Sequence, residues 1–230
     1  MKASDLFVKC LEAEGVNKIF GIPGEENADL MISLKKSKIE FVLCRHEQAA
    51  AFMADVYGRL TGKAGVCLAT LGPGVTNLMT GLADANMDRA PVVAIIGQGS
   101  TERLHKESHQ IMDSISMVAP ISKWAQTILS AKNVTEVVRK AFKVAETEKP
   151  GVTVIELPED VAKEEINENP IKPTLIRRPA ADYRAVDEAI ELIIASKNPI
   201  ILAGNGTIRK RASHRLRTLI KNLGVGVINT

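Results

Sequence analysis

The chain has 230 residues, 45% of them apolar and 25% charged, with aromatics at only 3%. That length accommodates one domain with a sizeable core plus a piece of another, and the interior must be filled by aliphatic side chains, as in an α/β protein. The formal net charge of +3, spread along the chain, argues against nucleic acid as the main partner.

Helical and extended patterns alternate from the start. Ser4 can cap a helix carrying Phe7, Val8, Leu11 and Ala13 at helical spacing, and Gly15 stops it. Lys18-Ile19-Phe20 reads as a short strand running into the turn Gly21-Ile22-Pro23-Gly24, and a helix covers 27–36. Residues 39–44 form the next strand, and an Ala-rich helix spans 46–60. Strand 65–70, helix 76–87 and strand 91–96 follow, the last bounded by Gly97. A short helix is expected over 110–118, an extended segment over 121–127, a helix over 134–145 and a strand over 152–157. Near-continuous apolar strands between helices predict a doubly wound, mostly parallel α/β sheet with helices on both faces. Right-handed crossovers then gather the strand-end turns on one edge, where such sheets bind ligands.

After Pro158 the texture changes: Pro158, Pro170, Pro173 and Pro179 stand among mixed charges with no sustained period. The expected organisation is a first domain over 1–165, a linker over 166–182, and an incomplete second α/β unit over 183–230. That unit contains a helix near 185–196, a strand at 199–203, a basic helix at 210–222 and a strand at 225–229. It amounts to little more than one β-α-β unit.

No apolar run approaches the roughly 18 residues needed to span a bilayer, so no membrane is expected. Met1-Lys2-Ala3-Ser4-Asp5 opens directly on an amphipathic pattern with no signal peptide, and the expected location is cytoplasmic. Cys10, Cys44 and Cys67 are widely spaced in apolar stretches without ligand spacing, and they read as reduced core thiols. No residue is assigned to a metal.

Three glycine turns follow strands: Gly21-Ile22-Pro23-Gly24, Gly72-Pro73-Gly74 and Gly97-Gln98-Gly99. Each lets backbone approach a ligand closely, yet tight strand–helix turns need glycine anyway. None is a Walker or GxGxxG pattern. At another strand end, Cys44-Arg45-His46-Glu47-Gln48 leads into Ala49-Ala50-Ala51. Glu47 in a first helical turn could simply complement the helix dipole. Among small apolar residues it could instead be a desolvated carboxyl that relays a proton. The run Arg209-Lys210-Arg211, Arg215, Arg217 and Lys221 lacks interleaved aromatics and reads as a solvated helix face, and Trp124 as a packing residue.

Phe20-Gly21-Ile22-Pro23-Gly24, Arg45-His46-Glu47-Gln48-Ala49-Ala50, Gly58-Arg59-Leu60-Thr61-Gly62 and Gly72-Pro73-Gly74-Val75-Thr76-Asn77, in that order and spacing, resemble the N-terminal domain of thiamine diphosphate-dependent carboligases and decarboxylases. The resemblance covers about residues 1–165 and continues into the start of a central domain. It implies that Glu47 hydrogen-bonds the cofactor's pyrimidine nitrogen and favours its imino tautomer, tuning the cofactor without touching substrate. It also implies that Ile22, Pro23, Gly24, Glu25, Pro73 and Asn77 line the aminopyrimidine site. Among relatives, His109-Gln110-Ile111-Met112-Asp113 and Pro120-Ile121-Ser122-Lys123 resemble the catabolic type of acetolactate synthase. By that likeness His109 and Gln110 reach towards the substrate pocket and Lys123 lies near it. A helix cap for His109-Gln110 and a solvated Lys123 are the plain alternatives. Leu71 and Glu25-Glu26 depart from the residues usual in the family, which bears on the substrate.

The resemblance implies pyruvate, a 2-keto acid, as substrate and a homo-oligomer, dimer or tetramer, with the active site shared between two chains. Mg²⁺ and the diphosphate would be held by a later Gly-Asp-Gly segment, which this sequence lacks. Gly204-Asn205-Gly206 has no acidic residue in its middle, and FAD, which some relatives bind centrally, is left open. The chain alone is therefore expected to be inactive. The competing class is a non-catalytic binding or assembly module, and a third reading is an ordinary nucleotide-binding domain in which Glu47 is dispensable.

Overall fold

The computed structural model describes residues 1–106, 108–174 and 180–230, and for 209–211 the backbone alone. The chain divides into two compact units, 1–176 and 177–230. The first holds α1 (Ala3–Ala13), β1 (Lys18–Gly21), α2 (Ala28–Lys35), β2 (Glu40–Leu43), α3 (Glu47–Thr61), β3 (Gly65–Ala69) and α4 (Pro73–Met87). It continues with β4 (Val92–Gln98), α5 (Ser114–Val118), β5 (Trp124–Thr127), α6 (Val134–Glu146), β6 (Val152–Pro158) and α7 (Glu159–Lys163).

The six strands form one all-parallel sheet in the order β2-β1-β3-β4-β6-β5. Every residue of β3, β4 and β6 is buried, which is why their sequences are near-continuous apolar runs and not alternating ones. Edge strands β2 and β5 are only partly buried. One core packs α1, α2, α6 and α7 on one face, and a second packs α3, α4 and α5 on the other. The doubly wound expectation holds.

Several boundaries moved for local reasons. Helix α1 starts at Ala3 with Lys2 as its cap, so Ser4 lies inside it, fully buried, and its Oγ accepts from Ser33 Oγ at 3.0 Å. Helix α4 starts at Pro73, three residues earlier than expected, because proline suits the first helical position. Strand β4 does not stop before Gly97: Gly97 and Gln98 stay paired with Leu157 and Pro158. Helix α5 begins only at Ser114, capped by Asp113 Oδ1 accepting from Ser116 N–H at 3.0 Å. Helix α7, not anticipated after Pro158, opens on Glu159 and Asp160. Asp160 accepts from Thr101 N–H at 3.1 Å, which lowers its pKa against the opposing effect of burial. The segment after α7 then returns to the chain start, where Ile166 N–H donates to Met1 O at 2.9 Å.

The second unit contains α8 (Tyr183–Ala195), β7 (Ile200–Ala203), a 3₁₀ segment (Asn205–Arg211), α9 (Ala212–Leu223) and β8 (Gly226–Asn229), with β7 and β8 parallel. Its helices bury no described side chain, and Ile194, Leu202 and Ile208 are exposed. Part of the basic run, Arg209-Lys210-Arg211, has side chains outside the described residues, and 175–179 of the expected linker likewise fall outside them. Among the described residues no helix is long and apolar enough to cross a membrane.

Candidate functional site at the β1–β3 switch point

Because all six strands point one way, the turns after β1, β2, β3 and β4 meet at one sheet edge. Strand β1 connects to β2 on one side while β3 lies on the other, so a crevice opens at the point where the winding reverses. The β1–α2 turn folds tightly there. Ile22 N–H donates to Leu68 O at 3.2 Å, and Gly24 N–H donates to Asn27 Oδ1 at 2.8 Å. A Cβ on Gly24 would sit 2.4 Å from Thr70 Cβ, so only glycine admits this approach. Pro23 and Glu25 are exposed, while Glu26 and Asn27 are buried. Asn27 Nδ2 is buried with no hydrogen-bond partner among the described residues.

Glu47 enters from the next turn as the first residue of α3. His46 caps that helix, its Nδ1 accepting from Gln48 N–H at 3.1 Å, so the cap does not need the Glu47 carboxylate. Glu47 is buried, and its Oε2 accepts from Asn77 Nδ2 of α4 at 2.9 Å. Its Oε1 has no protein donor among the described residues. The pairing depends on how closely the two helices pack. One turn on from each partner, Ala51 faces Gly81, where an added Cβ would lie only 2.6 Å from Ala51 Cβ. Further along, Arg59 donates to Asp55 at 2.8 and 2.6 Å and to Asp84 at 2.9 Å, and it pairs with Asp88. Gly62 closes α3 in the left-handed conformation at φ 70°.

The third side of the crevice is the segment after β4. Gly72, at φ 56° and ψ −116°, occupies a conformation open to glycine, and a Cβ there would lie 2.8 Å from Gln110 Cβ. His109 and Gln110 are themselves left-handed, at φ 43° and 61°, so they cannot be the opening of a helix. His109 Nε2 lies 3.1 Å from Glu26 Oε1, and Glu26 Oε2 accepts from Thr70 Oγ1 at 2.6 Å. Beneath them, buried Gln98 Nε2 donates to Glu156 Oε1 at 3.0 Å and to Met112 O at 3.2 Å. Burial raises the Glu156 pKa, opposed by hydrogen bonds from Thr127, Gln98 and Ser114.

Ile22, Gly24, Glu25, Glu47, Pro73 and Asn77 are thus at one sheet edge, with His109 and Gln110 beside them. Lys123 is not brought to them. It precedes β5 at the opposite, amino edge, and its Nζ donates to Val144 O at 2.5 Å and Thr147 O at 2.9 Å, closing the carboxyl end of α6.

Comparison with known proteins bears on this crevice directly. Residues 1–117 match the family described as thiamine pyrophosphate enzyme, N-terminal TPP binding domain. The chain belongs to that family. A probable acetolactate synthase large subunit of Methanococcus aeolicus is 39% identical over 241 residues, covering 100% of this chain and 40% of the relative. A catabolic acetolactate synthase of Raoultella terrigena is 41% identical over 218 residues, covering 92% and 39%. A glyoxylate carboligase of Escherichia coli O157:H7 is 36% identical over 234 residues, covering 100% and 40%. The chain spans about 40% of the length of these relatives.

For a thiamine pyrophosphate enzyme, the donor set fits an aminopyrimidine: a buried carboxylate with one oxygen fixed by Asn77 and the other without a protein donor among the described residues. Sequence reading missed Thr70, Gln98 and Glu156, and noted Glu26 only as a departure from the family. A charged residue inside the apolar run Val152–Leu157 was the available signal for Glu156, since a buried carboxyl requires partners. Nothing local announced Gln98 as that partner.

Proposed function

We propose that the chain is the aminopyrimidine-binding part of a thiamine diphosphate-dependent carboligase of the acetolactate synthase kind, joining two pyruvates into 2-acetolactate with release of CO₂. In this reading 1–165 is the aminopyrimidine domain, and 183–230 begins a central domain reached through 166–182. The observation that carries it is Glu47, buried at the crevice with Oε2 held by Asn77 and Oε1 open.

Thiamine diphosphate, when bound, supplies the electron sink that 2-keto acid decarboxylation and carboligation require. The protein's share is positioning and proton control. Glu47 would hold the ring nitrogen of the cofactor and exchange a proton with it through Oε1, in a position fixed by Asn77 and by the close α3–α4 contact. The β1–α2 turn, with Ile22, Pro23, Gly24 and Glu25, and Pro73 at the start of α4 shape the ring's seat. His109 and Gln110 flank the side from which substrate enters. Lys123 lies at the far edge, bonded to the carboxyl end of α6. Mg²⁺ and the diphosphate belong to segments that the longer relatives carry, and the working enzyme is a homo-oligomer in the cytoplasm.

The test is Glu47→Gln in the complete gene product, with CO₂ release from pyruvate as readout. A fall of about a hundredfold or more is expected, the usual scale for a lost acid–base group. Release near wild type would remove Glu47 from its role. Because a glyoxylate carboligase is among the relatives, glyoxylate is assayed beside pyruvate. Acetolactate as the product supports the acetolactate assignment, and preference for glyoxylate overturns it.

A further inference from the structure

The crevice is closed on one side by a hydrogen-bonded chain that neither the family motifs nor the acid–base reading of Glu47 uses. Glu26 is 7% exposed, and each of its carboxylate oxygens is engaged in a different direction. Oε2 accepts from Thr70 Oγ1 at 2.6 Å, in the β3–α4 turn, and Oε1 lies 3.1 Å from His109 Nε2, in the segment after β4. Three separate strand ends are therefore joined through one carboxylate. His109 is 57% exposed, and among the described residues its buried partner is Glu26.

The backbone explains why an anchor is needed. His109 and Gln110 hold consecutive left-handed conformations, which cost non-glycine residues free energy and persist only where the surroundings impose them. Gln110 rests on Gly72, where its Cβ and carbonyl oxygen leave no room for a side chain. A hydrogen bond from an imidazole N–H to a carboxylate beside this turn is charge-assisted through its ionised acceptor. Glu26 also packs under Gly97 at the end of β4, so its own position is set by the sheet.

We infer that Glu26 is a positioning residue: supported by Thr70, its carboxylate latches His109 and so holds the His109–Gln110 turn over the crevice beside Glu47. It touches neither substrate nor cofactor in this role. The claim that the held turn lies on the substrate side rests on the proposed function, whereas the latch itself does not.

Hydrogen–deuterium exchange on the full chain tests the latch, comparing wild type with Glu26→Asp, Thr70→Val and His109→Ala. Glu26→Asp keeps the charge but shortens the reach, so it cannot span both partners. Exchange at Ser108 and Ile111, whose N–H groups donate to Lys106 O and Ser108 O, is expected to rise at least about tenfold in Glu26→Asp and His109→Ala, and less in Thr70→Val. Amides of β4 serve as the control for folding. If Glu26→Asp disturbs β4 too, His109→Ala decides, because it alters only the exposed partner. Exchange within about twofold of wild type in His109→Ala overturns the latch.

In the complete gene product, Glu26→Asp is expected to raise KM for pyruvate severalfold while kcat changes little, the reverse of Glu47→Gln. Glu26→Gln, which still accepts from Thr70, is expected to recover part of the loss. An unchanged KM in Glu26→Asp overturns the positioning role. Intact exchange effects together with a Glu47→Gln enzyme of normal activity would leave the latch standing and remove the proposed function instead.

Discussion

Replacing Gly81 by Ala tests whether α3 and α4 are the frame that aims Glu47. The added Cβ would lie 2.6 Å from Ala51 Cβ and 3.1 Å from Phe52 N, whereas carbon–carbon contacts are comfortable at about 3.5–4.0 Å. Backbone on both sides leaves no flexible side chain to yield, so the helices must part by about 1 Å. Glu47 and Asn77 lie one turn from this contact, and their 2.9 Å hydrogen bond would open to about 4 Å, past any useful geometry. Overpacking costs about 1–3 kcal/mol, while alanine recovers up to about 1 kcal/mol of helix propensity, so urea unfolding should report a net loss of about 1 kcal/mol. CO₂ release by the complete gene product should fall far more than that modest loss suggests. The second-site change Ala51→Gly removes the opposing methyl and should restore activity, though not stability, since it adds a glycine to α3. Unchanged activity in Gly81→Ala, or no recovery in the double variant, would refute the reasoning.

Three further outcomes follow from the same packing. Arg59→Ala strands Asp55, whose side chain is 2% exposed, and should cost about 2 kcal/mol in urea unfolding, less than a fully buried pair because Arg59 itself is half-exposed. The Glu156 carboxyl, raised by burial above its ordinary value of 4.5, binds more protons folded than unfolded over that interval, so its contribution falls as pH rises through it. Glu156→Gln should therefore gain stability relative to wild type as pH rises above 4.5, measured as the difference in urea midpoints, and a difference independent of pH would count against this account. Burial pushes the Cys10 and Cys67 thiols up to about 12, so alkylation at neutral pH should be slow at both until the chain unfolds, as peptide mass spectrometry can show.

Much of the fold was readable because burial writes itself into composition. Strands β3, β4 and β6 are buried along their whole length, and their near-continuous apolar runs already said so. Boundaries were less legible where a single side chain decided them, as when Asp113 capped α5 after two left-handed residues. The position of Lys123 was likewise not legible from local sequence. A residue that precedes a strand in a parallel sheet sits at the amino edge, and Lys123 closes α6 there.

For Glu47, residue type and order alone established a carboxyl at a strand's end in the first turn of an Ala-rich helix, and the match of surrounding motifs established its family. What neighbours it has was decided by the tertiary structure. Asn77, Glu26 and His109 come from three different connections, and the order β2-β1-β3-β4 brings them to one sheet edge. Side-chain chemistry is local and survives in the sequence; the distances that make a site are set by crossovers and helix packing, which join residues far apart along the chain.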